Sequence, residues 1–324
     1  MSDKITIKRG AELELDIESL AYGGMGLARK DNFVIFVKYA IPGQRVLVKI
    51  YKKRKGFAEA QVLKLIEESP NAVEVCCKHY WICSKIQSLS YDEQIKEKSA
   101  QVEDAFNRLG GFTDFKLGSV MKAEKIYNYR NKMEFTFSPN RWVLESEPEG
   151  VDRSFALGLH IPGRFDKILD IHNCHIQPEI GNRILSVARD LCLEHPELRP
   201  YDPRSHIGFL RFLMLRYGVN TGDLMVNIVT SYHDIDKLSP LTDTLLEKFP
   251  EITSLVNNVN TRKADVAFGE YETLLYGDPF IQEKIGDLTF EISANSFFQT
   301  NTLQGEILYK EVEKAISLKG DEVI

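Results

Sequence analysis

The sequence predicts an α+β multidomain chain, with an amino-terminal OB-like β-barrel followed by a mostly β central region. Three observations lead there. Apolar and polar residues alternate with period two through Leu13, Leu15, Ile17 and again through Val46, Val48, Ile50, as half-buried strands do. The alternation returns in Met133, Phe135, Phe137 against Glu134 and Thr136. At 324 residues, with 43% hydrophobic and 27% charged residues, the chain has material for two or three globular domains.

The barrel is expected over the first 66 residues, as four or five short strands. A third alternating run, Ala58, Ala60, Val62, follows the first two, and Phe33 to Val37 is an apolar strand between them. Tyr22-Gly-Gly-Met-Gly26 and Pro42-Gly43 supply turns in which glycine accepts positive φ. Such barrels bind nucleic acid through charged strands and loops. A helix is expected over Ser90 to Leu109, with Ser90 and Glu93 as a capping box, Ile95, Ser99, Val102, Ala105, Phe106 and Leu109 on one face, and Gly110-Gly111 as the stop. From about Lys122 to Leu288 the pattern is mostly strand. Its clearest hairpin joins Phe209–Arg216 to Leu224–Thr230. One helix, Pro178 to Leu193, interrupts it and buries Ile184, Leu185, Ala188, Leu191 and Cys192, so Cys192 reads as a core residue rather than a nucleophile. Asn301 caps a last helix through Leu303, Ile307, Leu308, Val312, Ala315 and Ile316 to Lys319-Gly320, after which Asp321 to Ile324 begins a strand.

Composition narrows the function classes. A net charge of −6 excludes a uniformly basic nucleic-acid coat, so any RNA contact must come from local clusters. One runs from Arg45 to Lys55, where Arg45, Lys49, Lys52, Lys53, Arg54 and Lys55 stand with no acidic residue among them. By itself this also fits a solvated sheet edge that lysines protect from aggregation. The first ten residues have no apolar targeting core and no run nears the ~18 apolar residues that span a bilayer, so no membrane partner and a cytoplasmic location are expected. Nothing demands more than a monomer. Five cysteines, three of them at 76, 77 and 83, suggest metal more than a disulfide scaffold.

At this point the residues resemble a known family, the RNA uracil-5-methyltransferases of the RumA and TrmA kind, nearest the RumA-like (RlmD and RlmCD) 23S ribosomal RNA enzymes. Ile17-Glu-Ser-Leu-Ala-Tyr-Gly-Gly-Met-Gly-Leu-Ala28, with Phe33-Val-Ile-Phe-Val37 and Ile41-Pro-Gly43, looks like a TRAM domain, an RNA-binding barrel. TrmA-type enzymes lack it. The resemblance implies a TRAM-like barrel over 1–68 and a central, iron-sulfur-type RNA-binding domain over 69–89 and 122–291. It assigns 90–121 and 292–324 to the first portion of a Rossmann-like α/β methyltransferase domain, cut short. It also implies phosphate contacts for the Arg45–Lys55 cluster. Strand Tyr129-Arg-Asn-Lys-Met-Glu-Phe135 resembles the family's basic strand, making Arg130 and Lys132 candidate RNA contacts, though a solvated strand face also carries charge.

Cys77-x5-Cys83 and the later Cys174 are similar to the family's iron-sulfur ligands, which run Cys-x5-Cys-x2-Cys with a fourth cysteine downstream. Here Ile86 takes the third position and supplies no donor for a [4Fe-4S] cluster. Three readings stay open: a three-cysteine cluster with an outside ligand, a zinc site borrowing His79, His172 or His175, and a metal-free remnant held by packing, which ranks first.

Ile292-Ser-Ala-Asn-Ser-Phe-Phe-Gln-Thr-Asn301 is similar to the family's turn into the methyltransferase domain. The resemblance implies that Gln299 touches S-adenosylmethionine and that Phe297 stacks on the flipped uracil. An extruded base does need an aromatic face in place of its lost neighbours. The chemistry further requires a thiolate to add to carbon 6 of uracil, a base to remove the carbon 5 proton, and a Gly-rich turn under the cofactor. None of these stands in the 324 residues, so no catalytic residue is assigned and this chain alone is expected to be inactive. The alternative is a non-catalytic RNA-binding protein derived from this family. An iron-sulfur redox protein is a third reading.

Overall fold

The computed structural model describes residues 7–264 and 266–317, in two compact units, Met1–Lys122 and Ala123–Ile324. In the first unit, six strands form one sheet: β1 (Glu12–Asp16), β2 (Ser19–Ala21), β3 (Met25–Lys30), β4 (Phe33–Lys38), β5 (Arg45–Lys53) and β6 (Phe57–Glu67). Their order is β1-β5-β6-β4-β3-β2, with β4 and β6 parallel and the other neighbours antiparallel. The Glu18 N–H donates to Leu27 O at 2.8 Å, turning the first strand back onto β3. The period of two has the consequence expected of it. Leu13, Leu15, Ile17, Ile35, Val37, Val46, Val48, Ile50, Ala58 and Ala60 all point into one buried cluster. Gly43 sits at φ +84° in the turn before β5, a conformation that a side chain would strain.

A short helix α1 (Tyr80–Cys83) and the helix α2 (Tyr91–Asp104) complete this unit, α2 running on into a π-helical turn, Ala105–Leu109. Two expectations fail here. Ser90 is the N-cap residue but its side chain makes no capping bond, and Glu93 pairs with Lys96 instead of reaching back. No residue of α2 is buried, and Val102, Phe106 and Leu109 are exposed, Leu109 by 84%. The helix is held from its other side, where Glu97 accepts from Leu20 N and the Gln101 amide donates to Leu20 O. Phe106 packs on Phe112 and Phe115 of its own tail.

The second unit is built on an eight-stranded sheet of β7 (Lys132–Ser138), β8 (Arg141–Trp142), β9 (Ala156–His160), β10 (Ile168–Asp170), β11 (Leu210–Tyr217), β12 (Leu224–Thr230), β13 (Ser254–Val259) and β14 (Tyr271–Gly277), in the order β14-β13-β12-β11-β7-β9-β10-β8. A hairpin of β15 (Phe280–Ile285) and β16 (Leu288–Ser293) forms a separate two-stranded sheet. Every residue of β11, β12 and β13 is buried, so both faces of the middle of the sheet are covered. Helix α3 (Glu179–Glu194) buries Ile184, Leu185, Ala188 and Cys192, and burial pushes the Cys192 thiol up to about 12, as befits a core residue.

Helix α4 (Ile235–Lys248) corrects the sequence reading, which assigned this stretch to strand and loop. Pro240 inside it argues against a helix. The cost is offset locally: Asp234 caps Lys237 N at 3.1 Å, and the Ser239 hydroxyl donates to Asp236 O, the carbonyl that Pro240 leaves without an N–H. Leu238, Leu241 and Leu245 then form a buried stripe at helical spacing. The last helix, α5 (Thr302–Ile316), starts where expected, with Asn301 Oδ1 accepting from Gln304 N at 3.1 Å. Its expected end at Lys319-Gly320 and the strand after it lie outside the described residues. No described helix is long and apolar enough to cross a membrane.

Candidate functional site

The segment between β16 and α5 holds two of the sequence-predicted site residues, Phe297 and Gln299. Strand register places Lys132 and Glu134 of β7, Arg216 and Met214 of β11, Met225 and Asn227 of β12, and Val256 and Asn258 of β13 on one face of the sheet. The hairpin and the loop after it pack there: Met225, Val256, Ile281, Ile292 and Ala294 form a buried cluster that Phe298 completes. The two phenylalanines of the loop therefore divide their work. Phe298 is anchored, with its ring against Phe290 at 5.8 Å, while Phe297 is 85% exposed.

The stretch that holds Arg130 and Lys132 meets the same loop, although the strand begins only at Lys132 and not at Tyr129 as the sequence suggests. Asn131, between them, donates its backbone N–H to Thr300 O at 2.9 Å and its side-chain amide to Gln299 O at 2.8 Å. Arg130 Nε donates to Lys132 O at 2.9 Å, and Lys132 pairs with Glu134 at 2.5 Å. Asn131 thus ties the stretch that holds Arg130 and Lys132 to the backbone of the loop that holds Phe297 and Gln299, more than 160 positions away in the chain. Sequence reasoning missed the residues that build it. Arg216, 3% exposed, donates Nε to Ala294 O at 3.2 Å and Nη2 to Ser296 O, and burial draws its pKa below the ordinary guanidinium value. Glu283, fully buried, accepts from Val219 N at 2.7 Å, Asn220 N at 2.9 Å and the Thr302 hydroxyl at 2.7 Å. A lone arginine in the run Leu213-Met-Leu-Arg-Tyr217 was the available signal, since a buried charge needs a structural reason.

The basic cluster of the barrel is more divided than its sequence suggests. Antiparallel pairing sets Arg45 against Glu14 at 3.0 Å and Lys49 against Glu12 at 3.8 Å across β1, and β6 brings Glu59 to Lys52. Lys53, Arg54 and Lys55, at the turn into β6, have no acidic partner among the described residues. Lys53 lies 5.9 Å from the Phe33 ring and Lys38 4.7 Å from the Tyr51 ring, so uncompensated cations and aromatic rings share that part of the barrel.

Residues 7–63 match the TRAM domain family. An RNA methyltransferase of Chlorobaculum tepidum is 42% identical over 278 residues, which are 84% of this chain and 57% of that one. Another, from Porphyromonas gingivalis, is 38% identical over 320 residues, covering 96% of this chain and 68% of its own length. The chain belongs to this family of RNA methyltransferases. It spans 57% and 68% of these two relatives. A solved structure, the Pyrococcus abyssi tRNA (uracil-54, C5)-methyltransferase in complex with S-adenosyl-L-homocysteine, aligns with a TM-score of 0.67 over 93% of this chain and 64% of its own. At 24% identity, what the two share is the fold.

The cysteines of this chain do not fit a four-thiolate cluster. Ile86, at the third position, packs against the buried Leu20, Ile41 and Leu89. Cys77 Sγ lies 2.8 Å from His79 Nδ1, and Gln87 accepts from Cys77 N at 3.3 Å. Cys174 is buried, and burial pushes its thiol up against the opposing pull of the Ile176 and Gln177 N–H groups. Among the described residues no group of three or more His, Cys, Asp or Glu side chains is arranged to hold a metal ion.

Proposed function

We propose that the full protein methylates carbon 5 of a uridine in RNA with S-adenosylmethionine as donor, and that this chain holds the RNA and presents the target base. One observation carries the reading: an exposed aromatic ring, Phe297, stands on a loop whose backbone is braced by Asn131, the residue between Arg130 and Lys132. A flipped uracil requires a stacking surface, which Phe297 offers, and its flanking phosphates require cations, for which Arg130 is the first candidate and Lys132 the second, since Lys132 must first leave Glu134. Gln299, next on the loop, is then one wall of the donor site. Uracil carbon 5 becomes nucleophilic after a thiolate adds to carbon 6, the enolate takes the sulfonium methyl group with S-adenosylhomocysteine as leaving group, and loss of the carbon 5 proton to a base then expels the thiolate from carbon 6. The thiolate, the base that removes the carbon 5 proton and the Gly-rich turn belong to the further length that the relatives possess.

In this reading 90–121 and 292–324 are the first portion of the methyltransferase domain. The exposed apolar residues of both segments, Phe106, Leu109, Leu308 and Val312 among them, agree with that assignment. The barrel supplies sequence-independent affinity, chiefly through Lys53, Arg54 and Lys55. Ribosomal RNA is the proposed substrate and the 324-residue chain alone is proposed to be inactive.

The test incubates the full-length protein and S-adenosylmethionine with 23S ribosomal RNA fragments and, separately, tRNA, each labelled with tritium at uridine carbon 5. Tritium release that matches methyl incorporation is the expected result, on the ribosomal fragments. Incorporation without release would move the methyl group to another atom, release on tRNA alone would change the substrate, and neither would favour the non-catalytic RNA binder.

A further inference from the structure

Resting on that reading of Phe297 and Gln299, we propose that Arg216 and Asn131 are positioning residues for base presentation: they fix the backbone that carries the aromatic ring and the glutamine. The loop between Ala294 and Thr300 contributes little regular structure, so its shape depends on where its carbonyls are received. Four of them are received by two residues. Arg216 takes those of Ala294 and Ser296 on one side of Phe297, and Asn131 takes those of Gln299 and Thr300 on the other. The grip is itself held. The Asn131 amide also donates to the Thr302 hydroxyl at 2.8 Å, which donates onward to the buried carboxylate of Glu283. The Tyr217 N–H, next to Arg216, donates to Asn131 O at 2.9 Å, so the two clamps share one strand pair.

An arginine is suited to this in a way that a lysine is not. Its planar fork fixes two acceptors in a set geometry, whereas an ammonium group is a swivelling point charge. The same strand offers an internal comparison. Arg211, also buried, donates to Asn260 O, Arg262 O and Ala264 O, a loop that carries none of the predicted site residues. Both arginines brace loops, and Arg216 alone braces the one that presents Phe297.

The test is a double-mutant cycle in the full-length enzyme, assayed by methyl transfer at saturating RNA, with R216K, F297A and the pair, and R211K as the comparison. R216K is expected to lower kcat by ~10- to 100-fold, the range in which small misplacements act. RNA KM should stay within about twofold, because the interaction removed concerns the reacting geometry rather than general binding. In the F297A background the same change should cost less than about threefold, since a residue that acts through the ring has nothing left to act on. R211K should give the same factor in both backgrounds. Additive losses for R216K, like those of R211K, overturn the proposal and leave the stacking role of Phe297 standing. An F297A enzyme at full rate removes the stacking role, and the positioning role with it. Should R216K not fold, N131A enters the cycle under the same expectations.

Discussion

The barrel surface and the loop after β16 both face RNA in this account, and they are built in opposite ways. Around β5 the polar groups are exposed side chains in loose ion pairs, resting on an apolar interior that takes no part in binding. At the loop the polar groups are buried and committed: Glu283, Arg216 and Asn131 direct their donors or acceptors to backbone or, for Glu283 and Asn131, to the Thr302 hydroxyl. Exposed charges in water give modest, salt-dependent attraction with little geometric demand. Buried hydrogen bonds give one geometry and are costly to break. Under the proposed function, that difference separates holding an RNA from placing one of its bases.

The comparison can be broken most forcefully at Glu283. Replacing it by alanine strands the N–H groups of Val219, Asn220 and Lys284 and the Thr302 hydroxyl, and at ~1–3 kcal/mol for each unsatisfied group the loss should reach about 3 kcal/mol or more. Urea unfolding measures it, and a loss under about 1 kcal/mol would mean that water replaces the carboxylate.

Next in size is the division within the basic cluster. Lys53, Arg54 and Lys55 changed together to alanine should reduce the slope of log affinity against log salt by about 2, at ~0.7 for each phosphate of a single strand that is no longer neutralised. Changing Arg45, Lys49 and Lys52 together should move the slope by less than half as much, because Glu14, Glu12 and Glu59 already neutralise them. Equal effects would restore the undivided cluster of the sequence reading.

The smallest contrast lies in two helix caps. Asp234→Ala removes a side-chain cap and should cost ~0.5–2 kcal/mol. Ser90→Ala removes none and should stay within about 0.5 kcal/mol, as exposed substitutions do. Both are read from thermal or urea unfolding.

Much of this was legible in the sequence because it depends on near neighbours. The period of two in Leu13 to Ile17 and Val46 to Ile50 needs only a local pattern, and Asn301 caps a helix three residues away. The sequence missed what depends on register or on compensation. Glu12 and Glu14 lie more than thirty positions before Lys49 and Arg45, and only the pairing of β1 with β5 makes them partners. Pro240 argues correctly against a helix until Ser239 is seen to fill the missing hydrogen bond. Ser90-x-x-Glu93 has the form of a capping box, yet Lys96 competes for the carboxylate at the solvent surface. The exposed face of α2 shows a helical apolar stripe marking where packing is available without saying what supplies it. For the candidate site, Phe297, Gln299, Arg130 and Lys132 were nominated through motif resemblance. Arg216, Asn131 and Glu283 were not, since their work is to receive or offer hydrogen bonds to backbone 60 to 170 positions away, which leaves no local pattern.

The division of labour is tested most directly by measuring kcat at saturating RNA and the salt slope of RNA affinity in two variants of the full-length enzyme. For Phe297→Ala, stacking worth ~1–3 kcal/mol should appear as a fall in kcat of roughly 5- to 150-fold with the slope unchanged. For the Lys53, Arg54 and Lys55 triple alanine variant the slope should flatten while kcat at saturation holds within about twofold. A Phe297→Ala enzyme that keeps its kcat, or a triple variant that loses its own at saturation with the slope intact, would contradict the account.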